Sequence, residues 1–168
     1  MTTSFWQTLD ALGSAGGAAC DWRRLLGGDW PACAGLLRSA GSSADCVIDP
    51  DRPGRHLTVE ADGEAGFIGF ANEPPLRPPV PLAAGDVESL VPDWEAIGDA
   101  LGRSLGITPG RWENDGLSRQ IGIAQVGNRP PMPVVLHLPG GWFGDEACLL
   151  RELARRNGAI VLGRPPAG

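Results

Sequence analysis

The hydrophobic period of this chain switches between that of a helix and that of a strand, and that switch constrains the fold more than any other feature. In residues 55–71, RHLTVEADGEAGFIGFA, the apolar Leu57 and Val59 alternate with His56, Thr58 and Glu60. A period of two places one set of side chains on a single face of a strand. Asp62-Gly63 then supplies turn chemistry before a second apolar run, Phe67 to Ala71, so a β-hairpin is predicted. From Ala84 onward the period is again that of a helix.

The first forty-five residues read as three short helices. Phe5, Trp6, Leu9 and Leu12 recur at helical spacing behind Ser4, a candidate N-cap, and Gly13 or Gly16 would end the segment. In DWRRLLGG, Trp22, Leu25 and Leu26 fall on one side before Gly27-Gly28. DWPACAGLLRSAG offers Asp29 as N-cap, Pro31 in the first turn and Gly41 as terminator.

Downstream, Trp94, Ile97, Leu101 and Leu105 form one stripe that Gly106 closes. RQIGIAQV and PVVLHL read as strands, residues 145–156 as a helix ended by Asn157-Gly158, and AIVLG as a last strand. A strand, helix, strand order of this length implies a right-handed parallel crossover. The expected fold is therefore α+β: N-terminal short helices and a β-hairpin, then helices and a C-terminal ββαβ mixed sheet. The proline-rich NEPPLRPPVP is the strongest internal boundary, dividing residues 1–82 from 83–168, with one compact domain as the alternative.

At 168 residues, the chain can bury roughly 70% of its unfolded surface and needs no staples. A mean hydropathy of −0.07 without a long uncharged apolar run argues against a membrane span. The N-terminus has no basic region ahead of an apolar one, so a cytoplasmic location is expected. All 14 basic residues are Arg, a bias that a GC-rich genome explains, and the net charge is −6. That balance opposes nucleic-acid binding, which depends on neutralising phosphates. Cys20, Cys33, Cys46 and Cys148 form no C-x-x-C pair, so no zinc site, other metal or cofactor is expected, and the thiols read as small buried hydrophobes. A zinc-ribbon ancestry for the Cys46 hairpin would leave one candidate ligand.

The segment VVLHLPGGWFG, residues 134–144, resembles the HGGG-type oxyanion loop of the α/β-hydrolase family, which implies backbone N–H groups directed at a developing oxyanion. It departs from that pattern because Leu138 and Pro139 separate His137 from the Gly pair, and no G-x-S-x-G nucleophile elbow is expected anywhere in the chain. The same glycines could cradle an anion at a helix N-terminus, but Asp145 and Glu146 already occupy that end. His56 and His137, the only histidines, read as strand residues. Asp86, Glu88, Asp93, Glu95 and Asp99 form an acidic run without calcium-loop spacing, which reads as a solvated face.

Of six Trp residues, Trp6, Trp22 and Trp94 lie on helical stripes and are expected in the core, while Trp30 sits at a helix start. Trp112 and Trp142 lie in Gly-flanked loops, Trp142 beside Phe143. Because Trp is enriched at interface hot spots, the expected function is that of a non-enzymatic adaptor or subunit of a cytoplasmic bacterial-type complex. Its partner would be another protein, contacted through Trp142, Phe143, Trp112, Asp93, Glu95 and Asp99. The alternative is a small enzyme or binding protein for a phosphorylated or acidic metabolite, using His137 with Arg119 or Arg129.

Overall fold

The computed structural model describes residues 3–13, 16–63, 66–74, 78–108, 119–128, 130–137 and 160–163. It is an α+β protein. Contacts divide the chain into two compact units, Met1–Asp93 and Trp94–Gly168, a division later in the chain than the proline-rich stretch suggests. The stretch itself contributes a strand, Val80–Leu82, to the first unit.

The first unit begins with α1 (Thr3–Leu12). Gly13 closes it, with its N–H donating to the Leu9 carbonyl at 2.9 Å. Ser4 lies inside the helix and its hydroxyl donates to the Asp29 carboxylate, so neither residue serves as the side-chain N-cap expected of it. Strand β1 (Gly17–Ala18) and helix α2 (Ala19–Leu26) follow. On α2, Trp22 and Leu26 are buried but Leu25 is exposed, so the apolar stripe is narrower than expected.

The third predicted helix is cut short. α3 spans only Trp30–Cys33, with Pro31 in its first turn, and a 3-10 turn at Ala34–Leu36 leads into strand β2 (Leu37–Ser43). The sequence pattern predicts a helix running to Gly41; instead Leu37, Arg38 and Ser39 pair with Pro92, Val91 and Leu90 of β7 (Glu88–Pro92), a strand that the pattern does not predict. Neither segment alternates clearly in polarity, and their pairing is a long-range event that local pattern does not register. β7 is the central strand of a three-stranded sheet, antiparallel to β1 on one side and β2 on the other.

A second, four-stranded antiparallel sheet runs in chain order from β3 (Cys46–Ile48) through β4 (His56–Asp62) and β5 (Gly66–Phe70) to β6 (Val80–Leu82). The predicted hairpin is the β4–β5 pair, in register from Thr58 opposite Phe70 to Asp62 opposite Gly66. Its alternation works as read: Leu57 is buried and His56 and Glu60 are exposed. Val47, Leu57, Ala18 and Val87 form one core cluster, against which Val59, Phe67, Val80 and Leu82 pack. Each fully buried aliphatic side chain contributes about 1.5–3 kcal/mol.

Helix α2 joins the two sheets through adjacent residues. The Trp22 indole N–H donates to the Leu90 carbonyl of β7 at 3.1 Å, and its fully buried ring stacks on Phe5 at 6.0 Å. The Asp21 carboxylate accepts the Ile48 N–H of β3 at 3.1 and 3.0 Å. At the exposed end, Arg23 donates to Asp86 and to the Gly85 carbonyl, both at 2.7 Å, which ties α2 to the short helix α4 (Ala84–Val87).

In the second unit, α5 (Trp94–Leu105) ends at Gly106 as read from the sequence. Its buried face is Ile97, Gly98 and Gly102, while Leu105, expected on the apolar stripe, is exposed. Strands β8 (Arg119–Ala124) and β9 (Met132–His137) are antiparallel, and β10 (Ile160–Gly163) is parallel to β9, Ile160 opposite Val134 and Gly163 opposite His137. The expected helix at 145–156 lies outside the described residues. Ile123 also bridges to Thr108, each N–H donating to the other carbonyl, at 3.1 and 2.9 Å. Gly122 permits that approach: a Cβ there would stand 2.5 Å from Ile107 Cγ2 and from the Thr108 carbonyl oxygen.

Gly16 has φ +77°, and a Cβ on it would lie 2.1 Å from the same Leu90 carbonyl that accepts from Trp22. Since the obstacle is backbone of the central strand, it cannot rotate aside. Gly16→Ala is expected to cost about 2–4 kcal/mol, combining left-handed backbone strain with overpacking. Urea unfolding followed by far-ultraviolet circular dichroism measures this, and an unchanged midpoint would contradict the Gly16–Leu90 contact.

Candidate functional site

The first unit contains a cleft of about 340 Å³ that the sequence does not announce. It is lined by Asp49, Arg55, His56, Thr58, Asn72 and Glu73, with Gly54 and Ala71. One wall is the β3–β4 connection, DPDRPG, and the start of β4; the other is the segment that follows β5. The connection is a closed turn: the Asp49 N–H donates to the Arg55 carbonyl at 2.8 Å, and the Asp51 N–H donates to the Asp49 carboxylate at 3.0 Å. Asp49 is 2% exposed, and this bond makes it a turn residue that fixes where Arg55 emerges.

Two hydrogen bonds cross between the walls. Arg55 Nη1 donates to the Pro74 carbonyl at 3.0 Å, and Asn72 Nδ2 donates to Thr58 Oγ1. His56 and Glu73 are exposed. The cleft thus presents a guanidinium and an imidazole from one wall and a carboxylate from the other. His56 was read as a plain strand residue; its alternation with Leu57 shows which face it occupies, but no local signal pairs it with residues 72–74.

Besides Asp49, Asp21 is a buried carboxylate bonded to this region, through the Ile48 N–H. Its side chain is 5% exposed, and burial raises the carboxyl above its ordinary value of 3.8, while the Ile48 amide, Arg24 and His56 act in the opposite sense. Arg24 stands 3.2 Å away. Next to it, the Cys20 thiol is pushed up to about 11 by burial and by the charges of Asp21 and Asp86. Cys33 is buried as expected, Cys20 is half-buried, and Cys46 is exposed, contrary to the reading of the thiols as core residues. Cys148 lies outside the described residues. No group of three His, Cys, Asp or Glu side chains able to hold a metal occurs among the described residues.

The residues proposed from sequence as partner contacts fall in different places. Trp112, Trp142 and Phe143 lie outside the described residues. Asp93 ends the first unit, half-buried, with its N–H donating to the Leu36 carbonyl at 2.8 Å. Glu95 and Asp99 are exposed one turn apart on α5. The acidic run is therefore not one face: Asp86 is held by Arg23, Glu88 is in β7, and only Glu95 and Asp99 share a helix. Trp22 is in the core, whereas Trp6 and Trp94 are half-buried. Trp30 carries the Arg23 guanidinium 5.8 Å from its ring centre.

For the alternative site, the backbone places His137 at the carboxyl end of β9 and Arg119 opposite Leu136, one residue short of it. Arg129 lies outside the described residues. Contrary to the expectation that the chain holds no G-x-S-x-G, one such pentapeptide runs from Gly102 to Gly106. The structure explains it without catalysis: Ser104 is in the last turn of α5, and its hydroxyl donates to the Ala100 carbonyl at 2.9 Å. A nucleophile elbow requires a sharp strand-to-helix turn, and this serine is on a helix. The chain matches no protein-family model, no curated protein and no solved structure.

Two predictions follow from the buried groups. Because the folded Asp21 carboxyl titrates above its unfolded value, its contribution to stability is complete below pH 3.8 and is lost as pH rises through the raised folded value. Asp21→Asn should flatten that part of the pH–stability curve, measured by urea unfolding from pH 3 to 7. Asp21→Ala, which also leaves the Ile48 N–H without its acceptor, should cost about 1–3 kcal/mol. Burial and the charges of Asp21 and Asp45 raise the Cys46 thiol too, so access decides the order: in a Cys148→Ser background at pH 8, iodoacetamide should label the exposed Cys46 at least tenfold faster than the half-buried Cys20 or the buried Cys33, and peptide mass spectrometry resolves the three sites.

Proposed function

We propose that this chain is a non-enzymatic interaction subunit that binds another protein through its second unit. The observation that carries this reading is a group of exposed large apolar side chains: Leu105 at 54%, Ile123 at 40% and Val126 at 48%. The Thr108–Ile123 bridge brings the chain leaving α5 alongside β8, so Leu105 and Ile123 belong to neighbouring segments of one edge. Exposed apolar side chains gathered in this way mark interaction surfaces more often than scattered ones do.

Glu95 and Asp99 add exposed negative charge on the same helix. The partner that fits is a protein surface with an apolar centre and basic rim, since charge complementarity guides encounter and register. Trp112, Trp142 and Phe143 remain part of the proposed contact. A cytoplasmic setting belongs to the proposal as well; no described helix is long and apolar enough to cross a membrane. So does completion of the β8–β9–β10 sheet as a ββαβ unit by a helix at 145–156.

The second reading, a binding site for a phosphorylated or acidic metabolite at His137, has one observation in its favour. The parallel strands β9 and β10 end together, at His137 and Gly163, and ligands favour the carboxyl ends of such strands. The register offers Arg119 at that edge.

The interaction reading is tested with the full chain as bait. A partner should be retained, identified by mass spectrometry and reconstituted from purified components. Replacing Leu105 and Val126 together with Asp should weaken that reconstituted complex by 100-fold or more, because centrally placed apolar contacts dominate interface energetics. Both side chains are exposed, so an unchanged thermal midpoint should accompany the loss. Absence of any reconstitutable partner, or equal binding by the double variant, would overturn it.

A further inference from the structure

We propose that the cleft between the β3–β4 connection and the segment after β5 binds a small zwitterion, a free α-amino acid or a close analogue. This site is in the first unit and is independent of the protein-binding reading.

The lining chemistry selects the ligand class by elimination. A phosphate dianion would meet Arg55 and His56 on one wall, but also the Glu73 carboxylate on the other; the Asp49 carboxylate, 2% exposed and accepting the Asp51 N–H, belongs to the turn. A bare metal ion lacks the necessary donor group among the described residues. An apolar molecule would desolvate a guanidinium, an imidazole, an amide and a carboxylate with nothing to replace their water. What satisfies both walls at once is a molecule with a carboxylate and an ammonium a few ångströms apart. The carboxylate would lie against Arg55 and His56, where charge-assisted hydrogen bonds are strongest. The ammonium would face Glu73.

Two structural features make the cleft more than a surface dent. The Arg55–Pro74 and Asn72–Thr58 hydrogen bonds brace its walls against each other, so the Arg55 guanidinium is held before a ligand arrives, which lowers the entropy cost of binding. Only Nη1 of Arg55 is used in the brace, which leaves the outer edge of the guanidinium for a carboxylate. The volume of about 340 Å³ is at the small end of the range for metabolite sites and accommodates an amino acid.

The test is NMR titration of the full chain, read on the imidazole C–H signals of its two histidines, with His56 assigned by the His56→Asn spectrum. Glycine, L-alanine and L-glutamine are the probes. N-acetyl-L-alanine, which keeps only the carboxylate, and L-alaninamide, which keeps only the ammonium, distinguish a free amino acid from either end of a peptide. At least one free amino acid should shift the His56 signals saturably, and both blocked forms should bind at least tenfold more weakly. Glu73→Gln, an exposed substitution that leaves both bracing bonds intact, should weaken the same amino acid at least tenfold. If no probe saturates, if a blocked form binds as well as the free one, if inorganic phosphate binds better, or if Glu73→Gln has no effect, the proposal fails.

Discussion

The first unit is organised around the part-buried hydrogen bond from the Trp22 indole to the Leu90 carbonyl. It joins a helix with a fully buried aromatic ring to the central strand of a three-stranded sheet. Burying Trp without a partner for its N–H would be costly, and the same carbonyl leaves room for no side chain at residue 16. One residue earlier on α2, Asp21 grips the Ile48 amide of the other sheet. Two neighbouring side chains thus align two sheets, each through a backbone group of a strand, so a small rotation of α2 would break both connections together.

The cleft inherits its geometry from that arrangement. Asp21 fixes Ile48, Ile48 pairs with His56, and Asp49 closes the turn between them. Arg55 and His56 are consequently presented from a short, hydrogen-bonded segment, and the β4–β5 register carries Asn72 and Glu73 to the opposite wall. The carboxylate of Asp21 acts here as a positioning group, and its raised proton affinity is the cost of placing a charge where water is scarce.

The second unit is organised around closeness rather than a buried polar clasp. Gly122 lets the Ile107–Thr108 backbone approach β8, and Ile107, Ile121, Val134 and Val135 are buried. Gly98 and Gly102 lie on the buried side of α5, while Leu105, Ile123 and Val126 are exposed.

Elements with a strong local period were legible: α5, the β4–β5 hairpin, and strands β8, β9 and β10 all follow from spacing and turn residues within their own windows. Strands β2 and β7 were not, because LRSAGSS and ESLVP carry no period of their own and are strands through the hydrogen bonds each gives the other. The same distinction holds for chemistry. Sequence identified the polar face of β4 and the acids of α5, because alternation and helical spacing are local properties. Only the tertiary structure placed Glu73 across from Arg55, put Trp22 against Leu90, and turned Leu105 outward, since each depends on contacts between segments that are distant in sequence or on a close backbone approach, and no window of neighbouring residues encodes those distances.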